Sequence, residues 1–166
     1  METVNVYDIA TSTWFIQSTT AQKDIFPAGR VAFCSVVASA GDNSSHNIYI
    51  LGGSITPDVD RTGTNEMFIL TLPAFHWVLV YPLKKDNSEG DIRRLSFHRC
   101  LKVHEKHMVA YRGYNVDNRC DSDNGLKKFQ GMMIFDMSAL TWTTKVQLEN
   151  PKYSVPQALY GIIGGK

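Results

Sequence analysis

The sequence predicts an all-β fold built from repeated four-stranded antiparallel sheets, and three observations support this. Three near-copies of one segment recur at steps of 63 and 65 residues. In each copy a short polar residue, Asp8, Thr71 or Asp136, is followed by a tryptophan six positions later. The tryptophans are Trp14, Trp77 and Trp142. An apolar run closed by glycine lies before the second and third copies. A repeat with fixed internal spacing sets the architecture of the chain.

Each near-copy has the composition of a β-hairpin. In the first, residues 4–8 are mostly apolar and β-prone, residues 9–13 form a polar turn, and Trp14 opens a second strand. The other two copies repeat this order around Trp77 and Trp142. Because an isolated hairpin is only marginally stable in water, each one needs further strands beside it.

Those further strands are predicted between the copies. Residues 31–38 form an apolar run, residues 41–45 a turn, and residues 47–53 a second strand that ends in Gly52 and Gly53. After the second copy, residues 97–103 and 108–111 repeat the pattern and end at Gly113, with Arg112 before it. Glycine at these ends indicates backbone that turns sharply or adopts a positive φ.

This four-strand unit resembles the kelch repeat of β-propellers, whose blades are four-stranded antiparallel sheets around a channel. Pro27 and Arg30 also stand where a kelch unit often has Pro and Arg, and Arg94 matches that arginine in the next unit. The resemblance implies an incomplete kelch-type propeller. Its parts are the outer hairpin of a blade at 1–18, full blades at 30–81 and 94–147, and the start of a following segment at 153–165. The kelch motif residues are Asp8, Trp14, Gly52, Gly53, Trp77, Gly113, Asp136 and Trp142.

The C-terminal segment allows two interpretations. Residues 162–165 are similar to residues 50–53, which would suit another strand. We favour a short helix with Pro156 at its first position, an apolar face that includes Leu159, and Gly164 at its end.

A narrower resemblance is to fungal kelch proteins of the cell surface, carried by residues 43–53, 153–156 and 163–165. Intact members of that group have a secretion signal, a complete propeller and often a membrane anchor. This chain shows none of the three, so we expect a fragment of a longer propeller. Secretion or a cell-surface location is what the resemblance implies.

Composition argues against several classes of partner. The chain has 17 basic and 16 acidic residues and a net charge of +1, which gives no reason to expect nucleic acid as a partner. No apolar stretch approaches the roughly 18 residues of a membrane helix, so we expect no transmembrane segment.

Three cysteines are present: Cys34, Cys100 and Cys120. In a reducing compartment they would be free, and outside the cell one pair is expected. Cys34 and Cys100 hold similar places in two first strands. We nevertheless expect Cys100–Cys120, because that bridge would pin a long loop to its own blade. The cell-surface resemblance points the same way, since those proteins often have Cys-Asp in this loop. Asn43 begins an Asn-Ser-Ser glycosylation sequon in a predicted turn.

Two clusters contain residue types that can bind metal ions. His104 and His107 flank a tight turn, and residues 117–125 are rich in oxygen ligands but do not fit an EF-hand register. A solvated turn and a polar loop explain them better, so we expect no metal and no cofactor.

The predicted function is a kelch-repeat binding scaffold for a protein or glycan partner. Loops 54–65 and 114–130 join second to third strands and are expected on one side of adjacent blades. The alternative is a remnant of a propeller enzyme similar to galactose oxidase, but no catalytic motif is found, so we expect no catalysis. The candidate partner contacts are Arg61, Tyr114, Lys127, Lys128 and Phe129.

Overall fold

The computed structural model describes residues 1–55, 63–81, 94–115, 127–128, 131–149 and 152–163. Arg61, Cys120, Phe129 and Gly164 lie outside these ranges. The strands in chain order are β1 (Thr3–Asp8), β2 (Thr13–Ser18), β3 (Thr20–Ala21), β4 (Cys34–Ser39), β5 (His46–Leu51), β6 (Met67–Leu72), β7 (His76–Tyr81), β8 (Leu95–Ser96), β9 (Arg99–Val103), β10 (His107–Tyr111), β11 (Tyr114–Asn115), β12 (Lys127–Lys128), β13 (Met132–Asp136) and β14 (Thr141–Thr143).

The first sheet has the order β3-β7-β6-β5-β4 and is antiparallel from β4 to β7. Residues 67–71 of β6 are all buried, because this central strand is covered on both faces. In β4, buried Cys34, Val36 and Ala38 alternate with exposed residues, as expected for a strand with one covered face. The short β3 pairs in parallel with β7 at the other edge.

The second sheet has the order β14-β13-β10-β9, with every pair antiparallel. The prediction of two four-stranded antiparallel sheets is therefore confirmed. The hairpin β1–β2 forms a separate two-stranded sheet, and β12-β11-β8 forms a small three-stranded one that the sequence did not predict. A 3₁₀ turn at Gln22–Asp24 follows β3.

The main core lies between the two large sheets. Tyr49, Met67 and Ile69 of the first sheet and Met108 and Phe135 of the second are almost completely buried in one cluster. Burying such apolar area is the main favourable term in folding, so the two sheets stabilise each other. A smaller cluster on the opposite face of the first sheet packs against the N-terminal segment.

The C-terminal segment forms a helix, α1 (Gln157–Ile163), and not a further strand. It begins just after Pro156, whose carbonyl accepts a hydrogen bond from the Leu159 N–H at 2.9 Å. Leu159 is fully buried in the main core. Among the described residues, no helix is both long enough and apolar enough to span a bilayer.

Tyr153 binds this segment to the first sheet directly and to the second sheet through Tyr49. Its hydroxyl lies 3.0 Å from that of Tyr49 and accepts a hydrogen bond from the Asn47 amide at 3.0 Å. The Tyr49 hydroxyl also lies 2.7 Å from the Met137 carbonyl oxygen of the second sheet's hairpin. Burial raises the pKa of Tyr153 to about 12, so this network stays neutral at physiological pH.

Candidate functional site at the glycine ends of the second strands

The second strands of both large sheets, β5 and β10, end in backbone with positive φ. Gly52 and Gly53 have φ of 62° and 92°, and Gly113 has φ of 103°. Residues with a Cβ rarely adopt this backbone conformation, which explains why glycine occupies these positions. Gly53 donates its N–H to the Leu95 carbonyl at 2.9 Å and accepts from the Thr64 N–H at 2.8 Å. The chain that enters the second sheet is therefore held against the end of the first.

We call this surface the glycine-end face; it comprises residues 31–33, 52–55, 63–64, 95–98 and 113. Isolated bridges join its parts, pairing Ser54 with both Val31 and Gly63. The undescribed stretch 56–62 is thus flanked by residues of this face. The stretch 116–126 is flanked by Asn115 and Lys127, which pair with each other.

Arg112 takes the place in the second sheet that Gly52 takes in the first. Each follows the last residue of its second strand, and Arg112 has φ of 58°, close to the Gly52 value. A Cβ on Gly52 would lie 2.6 Å from the Leu95 carbonyl oxygen and 2.8 Å from Cε1 of His98. The first glycine is therefore required by the close packing of residues 95–98 as well as by the turn.

The Arg30 side chain binds the backbone of the glycine turn. Its buried guanidinium donates to the Gly52 carbonyl at 3.2 Å and the Ala28 carbonyl at 3.2 Å, and pairs with the Glu66 carboxylate at 2.8 Å. It also lies 5.3 Å from the ring centroid of Phe68. The guanidinium is planar, always charged and has five N–H donors, so it can contact all of these partners at once. Lysine, with a single ammonium group, could not.

The two sheets are joined covalently by a disulfide between Cys34 and Cys100, whose Cα atoms are 5.5 Å apart. The predicted pair Cys100–Cys120 is therefore wrong, because the Cys100 sulfur is bonded to Cys34. Cys120 itself lies outside the described residues.

The physical reason is an offset of one residue between the two first strands. Cys34 lies opposite the last residue of β5, whereas Arg99 lies opposite the last residue of β10. Cys100 is thus one position further along its strand than Cys34. Because successive side chains point to opposite faces, this offset directs Cys34 and Cys100 toward each other across the junction.

His98 lies beside this disulfide and is buried, with 4% of its surface exposed. Neither ring nitrogen makes a hydrogen bond of ordinary geometry. Burial lowers the pKa of His98 from 6.5 to about 4, and the nearby Leu51 carbonyl opposes this shift only in part. One nitrogen of His98 and the sulfurs of Cys34 and Cys100 all lie within 4.8 Å of one another. Among the residues that the structure describes, these three form the group that could hold a metal ion.

Two of the three repeated hairpins share their turn chemistry. Asp8 accepts hydrogen bonds from the Ala10 N–H and the Thr11 hydroxyl, which lower its pKa. Asp136 likewise accepts hydrogen bonds from the backbone N–H groups of the two residues that follow Met137. An aspartate that caps its own turn explains the short polar residue in the first and third copies. In the second copy the buried Thr71 hydroxyl makes no such hydrogen bond.

Each repeated tryptophan pairs with the residue seven positions before it on the neighbouring strand, which is Tyr7, Leu70 or Phe135. Their burial differs widely, since Trp14 is 69% exposed and Trp77 only 3%. Trp77 also donates its indole N–H to the Met1 carbonyl at 3.1 Å. The fixed spacing of the motif is therefore a cross-strand register.

Comparison with known proteins identifies this architecture. No family model matches the chain. A protein of the fungus Arthroderma benhamiae named "Kelch repeat-containing protein" is 35% identical over 144 residues, which cover 86% of this chain and 19% of that protein. The chain carries kelch repeats. It spans about a fifth of the length of this relative.

The kelch residues predicted from sequence fall at the glycine-end face or in the repeated hairpins. Gly52, Gly53 and Gly113 lie at the glycine-end face. The hairpins β1–β2, β6–β7 and β13–β14 contain Asp8, Trp14, Trp77, Asp136 and Trp142. The sequon residue Asn43 is exposed in the β4–β5 turn, with φ of 58°. Glycosylation there stays a prediction.

The predicted partner contacts are described only in part. Tyr114 and Lys128 are paired strand residues of β11 and β12, and Lys127 pairs with Asn115. Only their backbone is described. Arg61 and Phe129 lie outside the described residues.

His98 is the residue of this kelch site that the sequence did not reveal. No sequence motif includes His98. The turns 40–45 and 104–106 differ in length, so the alignment of the two first strands, which would place His98 beside Cys34, is not evident from the sequence. Its neighbour Phe97 has φ of 56°, as does Ala32, and that shared backbone conformation exists only in the folded chain.

Proposed function

We propose that this chain is part of a kelch-repeat scaffold that binds a protein partner at the glycine-end face. The observation that carries the proposal is a group of exposed apolar side chains on that face. Between 41% and 55% of the surface of each remains exposed. Its members are Val31, Phe33, Ile55 and Phe97. Exposed apolar groups that adjoin one another are typical of protein interaction sites.

The backbone beneath these side chains is firmly held. Val31 and Ser54 exchange two backbone hydrogen bonds, at 2.9 and 2.8 Å, and the Phe97 N–H donates to the Ala32 carbonyl at 2.9 Å. A Cβ built on Gly53 would lie 2.8 Å from the Cβ of Phe33, so these segments are in close contact. A rigid frame lowers the entropy lost on binding.

The residues that flank the predicted loop 54–65 support the same face. Residues that flank the stretch 56–62 belong to it, and loops on a rigid scaffold commonly carry recognition. Arg61, Tyr114, Lys127, Lys128 and Phe129 remain candidate contacts under this proposal. The exposed phenyl rings favour a protein over a glycan, because they offer apolar area without an ordered set of polar partners.

A scaffold also suits the chemistry better than the enzyme alternative. A galactose-oxidase-like site requires a cysteine linked to a tyrosine. Here Cys34 and Cys100 are bonded to each other, and the Tyr49 and Tyr153 hydroxyls contact each other in the core. These residues have structural partners already.

Photo-crosslinking tests the proposal. Benzoylphenylalanine is placed at position 97, with position 16 as the matched control, because Ile16 is 77% exposed on the separate hairpin β2. The captured protein is identified, purified and titrated against the chain. We expect capture at position 97 only, and Phe33→Ser with Phe97→Ser to weaken binding about tenfold or more.

Two results would contradict the proposal. One is a captured protein whose affinity is unchanged by the double variant but reduced by Ile16→Ser. The other is specific binding on a glycan array that the double variant abolishes, since this would replace the protein partner by a sugar. Near-ultraviolet circular dichroism of each variant checks that the fold is retained.

A further inference from the structure

Three potential metal ligands converge where the two large sheets meet. The sulfurs of Cys34 and Cys100 and one ring nitrogen of His98 lie within 4.8 Å of one another. Cys34 opens β4, His98 precedes β9, and Cys100 lies within β9. Both sheets therefore contribute to the cluster, and the tertiary fold alone assembles it.

His98 gives an independent indication that the cluster can take a ligand. The ring is 4% exposed, yet neither nitrogen makes a hydrogen bond of ordinary geometry. A buried polar group without a partner is destabilising, so native proteins seldom retain one without a reason. A ring nitrogen within 4.8 Å of two sulfur atoms is in position to bind a cation shared with them.

We infer that Cys34, His98 and Cys100 form a Zn²⁺ site that opens when the disulfide is reduced. In the oxidised chain each sulfur is bonded to the other and carries no charge for a metal. A dithiol reductant supplies two electrons and two protons, which break the S–S bond and give two thiols, and the dithiol becomes a cyclic disulfide. Binding of Zn²⁺ then releases both thiol protons to solvent.

The donor set selects the kind of metal. Thiolate and imidazole ligands suit Zn²⁺, whereas Ca²⁺ and Mg²⁺ take oxygen ligands. Two thiolates neutralise the dication, so the occupied site carries no net charge, which favours burial. Three protein ligands leave one of the four usual zinc positions for water.

The two large sheets would then be joined by either of two alternative links. The disulfide joins β4 to β9 under oxidising conditions, and Zn²⁺ bound to the same sulfurs joins them under reducing conditions. Breakage of the S–S bond therefore does not free the second sheet from the first while the metal is present. This inference is independent of the proposed partner binding.

Titration with Co²⁺, a spectroscopic substitute for Zn²⁺, tests the site on the full chain. One sample is kept oxidised, and the other is reduced with a dithiol that is then removed without air. We expect the reduced chain alone to bind one equivalent, with thiolate charge-transfer and tetrahedral d–d absorption, and Zn²⁺ to displace it. We also expect Zn²⁺ to raise the unfolding temperature of the reduced chain only.

Variants separate this site from adventitious binding. Cys34→Ser should abolish the charge-transfer band, and Cys120→Ser is the matched control that should keep it. His98→Gln should weaken binding by more than the 10–100-fold typical for loss of an outer-shell partner. Circular dichroism of the reduced variants without metal shows whether each is folded.

Three outcomes would overturn the inference. They are equal Co²⁺ binding by the oxidised and reduced chains, no binding by a reduced chain that is folded, and loss of binding in Cys120→Ser. Unchanged affinity in a folded His98→Gln variant would remove His98 from the site and contradict it as well.

Discussion

Cys34 and Cys100 lie on first strands of adjacent sheets and face each other because their positions differ by one residue relative to the end of the second strand. In the first sheet Cys34 lies opposite Leu51, and in the second sheet Arg99 holds that place. The disulfide, His98 and the kelch glycines consequently share one junction.

Gly52→Ala should destabilise the chain by at least about 2 kcal/mol. The added Cβ meets the Leu95 carbonyl oxygen of β8, and alanine is strained at a φ of 62°. Urea denaturation followed by tryptophan fluorescence measures the change. Gly29→Ala is the control, since a Cβ there has no atom within 4 Å, and it should be nearly neutral. Equal effects of the two substitutions would refute the packing role of Gly52.

Arg30→Ala should cost about 2–4 kcal/mol of unfolding free energy. The change removes the donors to the Gly52 and Ala28 carbonyls and the partner of Glu66, which is itself only partly buried. Arg99→Ala, at an exposed arginine of β9, should change stability by less than about 0.5 kcal/mol. A loss below about 1 kcal/mol at Arg30 would show that water replaces these contacts readily.

Trp77→Ala should destabilise the chain by about 3–5 kcal/mol, whereas Trp14→Ala should cost less than about 1 kcal/mol. Both occupy the same motif position, but Trp77 is 3% exposed and Trp14 is 69% exposed. Trp77→Ala also removes the donor to the Met1 carbonyl. Equilibrium unfolding of the two variants compares them directly, and similar losses would contradict the difference in burial.

Stability should fall as the pH is lowered from about 6.5 to about 4 because of His98. The pKa of His98 is lowered by burial to about 4 in the folded chain, against 6.5 for an exposed histidine. Between these values the unfolded chain binds the proton and the folded chain does not, so acid favours unfolding. The loss of unfolding free energy reaches about 3 kcal/mol below about pH 4, and there is no loss above about pH 7.

Unfolding curves at several pH values test this titration. His98→Phe should reduce the pH dependence over that window, and the part that remains includes His107, whose pKa burial also lowers. His46→Asn, at an exposed histidine, should leave the pH dependence unchanged. A wild-type slope that persists in His98→Phe would assign the effect to other groups.

Much of the fold could be read from local patterns. The spacing of Asp136 and Trp142 reports a turn capped by its own aspartate and a cross-strand pair, and both are decided within a few residues. The helix at Gln157–Ile163 follows from Pro156 and an apolar face that includes Leu159. Such features depend on neighbouring residues alone, so the sequence predicts them well.

The junction could not be read in this way. Sequence placed Cys34 and Cys100 at similar positions, yet a shift of one residue reverses the face to which a strand side chain points. Turns of different length conceal that shift until the strand registers are known. His98 and Leu95 matter because they approach Gly52, and that approach exists only between sheets.

The sequence by itself determined the repeat, the strand-turn-strand units and the positions that need glycine, because periodicity and φ preferences are properties of short segments. The tertiary structure alone decided which cysteines pair, which tryptophan is buried and where a histidine loses its contact with water. Those outcomes depend on the packing of one sheet against the next, and residues far apart in the chain meet only there.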